Sequence, residues 1–154
     1  MKRLLVLVLL AMSLSALAAD RPYDEKADAG ATVKQALING QKAGKPVLLV
    51  FGANWCADCL ALDKALQSEK NAELIAREFE VVKINVGRFD HNTELVKEYG
   101  NPIKKGIPAV VVVSPGNKVL YTTKAGELAN ARTMSTDGIY EFFHDVVARA
   151  KGSG

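Results

Sequence analysis

Cys56 and Cys59 are the only cysteines in the 154-residue chain, and they stand two residues apart in "ANWCADCLAL", directly after Trp55. Three chemistries use such a pair: a structural disulfide, part of a metal site, or a dithiol that exchanges electrons. A disulfide closing a loop of about four residues stabilises a fold by only roughly 2 kcal/mol, less than a longer loop gives. A closed zinc sphere takes about four ligands, and the nitrogen donors available are His91 and His144. Neither histidine has a partner at ligand spacing, so each reads as a surface or helix-face residue.

A redox dithiol fits the residues that flank the pair. "PVLLVFG" (46–52) is a continuous apolar run of strand length, of the kind expected when both faces of a strand are buried. Beyond the pair, Leu62, Ala65 and Leu66 continue a helix from about 57 to 67. The cysteines therefore open a helix, where unpaired backbone N–H groups and the positive end of the dipole favour thiolate over thiol. Cys56, at the exposed entrance, is expected to attack a partner's disulfide. Cys59, about one turn further in, then attacks the mixed disulfide and releases the reduced product.

The remaining elements must hold that turn in place. Ala29, Val33, Ala36, Leu37 and Gly40 recur at helical spacing, and Gly44 and Pro46 end a first helix over about 29–43. After the motif helix comes a further helical stretch, with Asn71 as its cap and Leu74, Ile75 and Phe79 as its apolar side. "VVKINV" (81–86) reads as a second strand. Asn92 or Thr93 caps a short helix through Tyr99, with Gly100 as its stop. "AVVVV" (109–113) and "KVLYTT" (118–123) form a hairpin about Ser114-Pro115-Gly116-Asn117. A last helix carries Ile139, Phe142, Phe143, Val146 and Val147, with Ser135 or Thr136 as cap. Residues 126–134 read as a loop without an assigned place. The alternation predicts an α/β fold: a mostly parallel central sheet, helices on both faces, and an antiparallel hairpin at one edge.

Composition bounds the class. The chain is 49% apolar and 24% charged, with room for one domain. Residues 1–18 read as a secretory signal peptide: Lys2 and Arg3, then "LLVLVLLAM", then Ala16-Leu17-Ala18 as a small-x-small cleavage signal. The apolar stretch is shorter than the roughly 20 residues that cross a bilayer, so no stable membrane insertion is expected after its removal. The expected organisation is signal peptide 1–18, polar lead-in 19–28, folded domain 29–150 and tail 151–154. The formal charge of +3 includes Lys2 and Arg3, so the mature chain carries +1. No basic run interleaved with aromatics appears, which argues against nucleic acid as a partner. Secretion places the cysteines where disulfides persist.

"LLVFGANWCADC", followed some fifty residues later by "GIPAVVVV", resembles the thioredoxin superfamily, and the element order agrees over about residues 29–149. The chain is similar to secreted bacterial thioredoxin-like proteins and to the C-terminal domain of the membrane transporter that delivers reducing equivalents to the periplasm. The resemblance implies a thioredoxin-like fold with a central mixed sheet of about four strands flanked by helices. It implies Cys56 as nucleophile, Cys59 as resolving thiol and Pro108 as a cis-proline beside them. Ile107 would offer its backbone to an extended substrate segment, and Trp55 would form part of the docking surface. The bland readings are a trans Pro108 starting an edge strand and a core Trp55.

The pattern also departs from the family. Many thioredoxins carry a buried carboxylate on the strand six residues before the first cysteine, and here that position is Val50. Proton transfer must then use water or another group. Lys83 matches a lysine often found near that carboxylate, its plain alternative being a lysine snorkelling from a strand end. Asp58 stands where relatives often have proline, histidine or tyrosine. As an acid in a first helical turn it is worth ~0.3–1 kcal/mol to the helix. As a charge about 7 Å from a thiolate, at an effective dielectric near 40, it opposes ionisation by roughly 1 kcal/mol, or about one pKa unit. Lys104 and Lys105, before Pro108, read as a solvated pair or a site for acidic partners.

The expected function is a secreted, periplasmic thiol-disulfide oxidoreductase leaning to reductase or isomerase work. Its partners would be protein disulfide substrates and an upstream redox partner. It would act as a monomer with no bound cofactor and no metal, its redox centre being its own cysteines. The rival is a non-enzymatic thioredoxin-like module that binds a partner or delivers copper, which a methionine-rich tract would have supported. Met134 is the sole methionine after the signal.

Overall fold

The computed structural model describes residues 21–154, so the signal peptide expected over 1–18 lies outside the described residues. Helix α1 spans Ala29–Ala43; the Asp28 carboxylate caps it by accepting from the Ala31 N–H at 2.9 Å. Its buried face is Ala29, Val33, Ala36 and Gly40. Gly40 is required there, because a Cβ would run into the Lys45 carbonyl as the chain doubles back through Gly44, at φ 67°, into the first strand.

That strand, β1 (Val47–Gly52), is buried at every residue, as expected of a strand covered on both faces. The four strands lie in the order β2 (Glu80–Asn85), β1, β3 (Ala109–Val113), β4 (Val119–Thr122). β1 runs parallel to β2 and antiparallel to β3, and β3 runs antiparallel to β4 with an irregularity at Val112 and Val113. The sheet is mixed, with helices flanking it. The expected mostly parallel sheet is corrected: one of its three pairings is parallel. A parallel return from β2 would need a crossover that carries the chain back along a strand of about 20 Å. The connection contains only the six-residue helix α4 (Thr93–Glu98), about 9 Å long, and a 3₁₀ turn at Pro102–Lys105. The chain therefore turns over one end of the sheet and comes back antiparallel.

Helix α2 (Ala57–Leu66) follows β1, and α3 (Glu69–Glu78) and α5 (Thr136–Gly152) pack on it and on each other, while α1 packs on β1 and β2. Asn71 does not cap α3. Ser68 precedes the helix, and the buried Asn71 amide instead donates to the carbonyls of Ala65 (2.9 Å) and Thr136 (3.2 Å), tying the end of α2 to the start of α5. Ser135 caps α5 as expected, accepting from the Gly138 N–H. The 126–134 segment has a definite place: Leu128 and Ala131 are buried, and a 3₁₀ turn at Ala131–Thr133 packs against α2. Tyr23, within the polar lead-in, is 1% exposed and belongs to the core. Among the described residues no helix is long and apolar enough to cross a membrane.

Candidate active site

β1 ends at Gly52, and four residues later Cys56 stands as the N-cap of α2 with extended backbone angles (φ −87°, ψ 110°). Its Sγ accepts the Cys59 N–H at 3.1 Å, filling one of the donors that a helix start leaves unpaired. The two sulfurs are bonded to each other, with Cα atoms 5.2 Å apart. Cys59 has no exposed surface and Cys56 keeps 6%. The entrance expected at Cys56 is thus narrow. A partner's sulfur has one small window on the pair, and it opens on Cys56.

The wall of that window comes from the segment before β3, the strand next to β1. Because Ala109 pairs with Phe51, the residues just before β3 lie against the end of β1. The Ile107–Pro108 peptide bond is cis, and the Ile107 carbonyl oxygen lies 3.7 Å from Cys56 Sγ, within reach of a reduced thiol's weak donation. Trp55 is not a core residue: it is 49% exposed, anchored by its Nε1–H donating to the Gly87 carbonyl at 2.7 Å. Phe89, equally exposed, meets it edge-on with ring centroids 6.2 Å apart, and the Arg88 guanidinium lies 5.3 Å from the Trp55 ring centre.

Sequence reading left Asp58 without a partner. Its buried carboxylate accepts the Arg132 backbone N–H at 3.0 Å and the Arg132 guanidinium at 3.2 Å, so a cation from the 126–134 segment faces the charge expected to oppose Cys56. Lys83 pairs across the strands with Val50, and its ammonium forms an ion pair with Asp63 of α2. Asp63, Arg132, Phe89 and Tyr23 were all missed as site residues. One signal for Asp63 was available: a charged residue on the helix face that carries Cys59, Leu62 and Leu66.

Asn54 straps the N-terminal segment onto the motif. Its side-chain oxygen accepts the Tyr23 N–H at 3.0 Å and its amide donates to the Tyr23 carbonyl at 2.7 Å. The Tyr23 ring lies over Gly52, where any Cβ would strike it. Burial, and after it the charge of Asp63, push the Tyr23 hydroxyl far above the ordinary tyrosine value. Lys104 and Lys105 lie exposed on the turn before Gly106. His91 pairs with Asp90 in an exposed loop and His144 stacks on Tyr140. Among the described residues no group of three or more histidine, cysteine, aspartate or glutamate side chains is placed to hold a metal.

A redox-active cysteine pair opening a helix at the end of a central strand, within a four-stranded mixed sheet flanked by helices, defines a thiol-disulfide oxidoreductase of thioredoxin-like fold. Residues 28–115 match the thioredoxin-like family, and the chain belongs to that family. A thioredoxin of Acidithiobacillus ferridurans is 33% identical over 91 residues, spanning 59% of this chain and 75% of that protein. The crystal structure of a disulphide isomerase from Xylella fastidiosa Temecula1 is 63% identical, with a TM-score of 0.82 over 84% of this chain and 98% of that one. The oxidised DsbD C-terminal domain of Neisseria meningitidis shares the fold at 24% identity and a TM-score of 0.52, over 75% of this chain and 94% of that one.

Proposed function

We propose that the protein is a periplasmic reductase or isomerase of protein disulfides, with Cys56 as the attacking sulfur and Cys59 as the resolving one. The observation that carries this reading is the asymmetry of the pair: Cys56 alone keeps an opening, at the helix start, while Cys59 is sealed beneath it. In the dithiol form the N-terminal N–H groups of α2 favour the Cys56 thiolate. That thiolate attacks a substrate disulfide. Ile107 presents backbone to an extended substrate segment, and the exposed Trp55 supports the same segment. Cys59 then displaces the substrate sulfur and restores the Cys56–Cys59 disulfide, which an upstream redox partner reduces.

The 63% identity to a protein described as a disulphide isomerase supports isomerase work in particular. The basic start, the apolar run and the small-x-small signal within residues 1–18 support export, with cleavage after Ala18, and the two sulfurs supply the redox centre without a bound cofactor. The protein acts as a monomer in this reading. The test is refolding of a scrambled-disulfide substrate, with insulin reduction as a second assay. Cys56→Ser is expected to abolish both activities, and Cys59→Ser to accumulate a mixed disulfide with substrate that mass spectrometry locates on Cys56. Full activity in Cys56→Ser would overturn the proposal.

A further inference from the structure

β1 and β2 finish at the same end of the sheet, where Gly52 pairs with Asn85, and β3 begins there, with Ala109 opposite Phe51. β4 ends there too, since Thr122 pairs with Val111 and the Thr123 N–H donates to the Val110 carbonyl at 3.0 Å. The loops at this end frame Cys56, and they carry five exposed cations: Arg88 after β2, Lys104 and Lys105 before β3, Lys124 and Arg132 after β4. Three contacts tie this rim to the cysteine. Arg88 lies over Trp55, the residue before Cys56. Lys105 stands two residues before Ile107, whose carbonyl is 3.7 Å from Cys56 Sγ. Arg132 bonds Asp58, two residues after Cys56. The segment after β4 bridges the last two: a Cβ at Gly126 would stand 2.8 Å from the Lys105 carbonyl, and one at Gly106 would stand 3.1 Å from the Ala129 Cβ.

The chain's own acids leave most of these cations unanswered. Elsewhere exposed cations meet exposed carboxylates, as in Arg21 with Glu25, Lys70 with Asp137 and Lys97 with Glu94. Among the described residues Arg88, Lys104, Lys105 and Lys124 form no ion pair. The carboxylates on the same loops and helix start are already engaged. Arg132 holds Asp58, the Arg88 N–H and His91 hold Asp90, and the N–H groups of Lys124 and Ala125 hold Glu127. The N-terminal groove beside Asn54 is balanced, with Arg21 and Lys26 against Asp24 and Glu25. The mature chain carries only +1 in all, so this end is basic through the placement of charge and not through its amount. Like charges gathered on one face repel one another, so their grouping does nothing for the stability of the free protein.

We propose that this basic rim selects protein disulfides whose cysteine lies in an acidic, extended segment, with Lys104, Lys105 and Arg88 as the cations that meet its carboxylates. The proposal rests on the dithiol reading above. Two residues of chain, at most about 7 Å, separate Lys105 from Ile107. A substrate segment laid against Ile107 with its sulfur on Cys56 therefore carries its flanking side chains within about a Debye length of the Lys105 ammonium, roughly 8 Å at physiological ionic strength. Carboxylates at those flanking positions raise the population of encounter complexes before any sulfur is exchanged. Basic segments meet repulsion at the same place, so the rim sorts substrates by charge as well as attracting them.

The test is the charge preference of the reduced oxidoreductase. Three fluorogenic peptide disulfides, identical except at the positions flanking the cysteine, carry glutamate, glutamine or lysine there. Each kcat/KM is divided by the rate constant of the same peptide with dithiothreitol, which removes the peptide's own reactivity. At about 0.01 M ionic strength, where charges act over roughly 30 Å, the glutamate peptide is expected to exceed the glutamine peptide by about tenfold and the lysine peptide to fall below both. At about 0.15 M the preference is expected to shrink to about twofold. The double variant Lys104→Gln, Lys105→Gln is expected to cut the low-salt ratio of glutamate to glutamine by about threefold or more. A change in Cys56 acidity alone would move all three peptides by one factor and leave that ratio as it was. Should the double variant not fold, the salt dependence of the wild-type ratio reads the same point. Equal normalised values at low salt, or an unchanged ratio in the folded variant, overturn the proposal. Equal values together with co-sedimentation on anionic phosphatidylglycerol vesicles would assign the cations to a lipid surface and overturn it as well. Exchange that shows no charge preference yet is lost in Cys56→Ser leaves the function itself standing.

Discussion

The Asp58 carboxylate, two residues after Cys56, accepts both the backbone N–H and the guanidinium of Arg132, a residue 74 positions further along the chain. This contact latches the segment after β4 onto the first turn of α2 and compensates a negative charge beside the reactive sulfur. Arg132→Ala keeps the backbone bond but removes the cation. The uncompensated Asp58 charge then opposes Cys56 ionisation by up to about one pKa unit, from roughly 1 kcal/mol of repulsion at about 7 Å. The Cys56 pKa, read from the pH dependence of iodoacetamide alkylation in the reduced protein, is expected to rise. Asp58→Ala is expected to move it down and to raise the reduction potential. In the double variant Arg132 adds nothing further, and an Arg132 effect of unchanged size there would sink the latch.

Tyr23 and Gly52 meet where the N-terminal segment crosses the end of β1, and no Cβ fits between them. Gly52→Ala is expected to cost about 1–3 kcal/mol by overpacking. In a Tyr23→Ala background the same substitution loses most of that cost, because the obstacle is gone. Denaturant unfolding of the four proteins in this cycle measures the coupling directly. Equal costs of Gly52→Ala in both backgrounds would mean that Tyr23 is not what excludes the methyl group.

These contacts mark the boundary of what the chain reveals when read alone. Cys56, Cys59 and Trp55 were legible because their chemistry is local: a strand, two thiols and a helix start in one run of residues. The helices were legible from spacing, as with Val33, Ala36 and Gly40. The direction of β3 was not, since alternation of elements orders the strands without saying whether a short connection carries the chain back along the sheet. Asp58 with Arg132, Asp63 with Lys83 and Tyr23 with Gly52 are pairs far apart in sequence. The pairing itself stays hidden until the fold brings the two members together. Asn71 shows the converse error: a residue type that favours caps went instead to a buried bridge between two helices.

Phe89 has φ 68°, a left-handed conformation that costs a bulky residue about 1–2 kcal/mol, yet its ring is half exposed. Asp90 accepts the Arg88 N–H at 2.9 Å within the loop, and the Trp55 bond to Gly87 pins its start. Strain held in place to keep an aromatic ring in solvent beside Trp55 fits a docking edge for substrate. Phe89→Gly relieves the strain while losing the ring contact, so stability is expected to change by less than about 1 kcal/mol. KM for a protein disulfide is expected to rise several-fold, with the rate on a small disulfide unchanged. Steady-state kinetics on both substrates decide it, and equal effects on the two would remove Phe89 from docking.

Tyr23 also makes a pH prediction with a definite sign. Burial and the Asp63 charge raise its hydroxyl above the ordinary value of 10.0. Below pH 10 the phenol is neutral in the folded and the unfolded chain alike, so its stabilising share is fully present. Above that value the unfolded chain ionises while the folded chain holds its proton, and stability falls by up to about 1.4 kcal/mol per pH unit. Tyr23→Phe cannot ionise in either state. It is therefore expected to lose little at pH 7, about 1 kcal/mol at most, and to decline less steeply than the wild type above pH 10. Tyr99 and Tyr121, whose hydroxyls burial also raises, keep part of the alkaline loss in the variant. Equilibrium unfolding between pH 8 and 11 measures both slopes; parallel declines would show that the Tyr23 hydroxyl is not held in its neutral form by the fold.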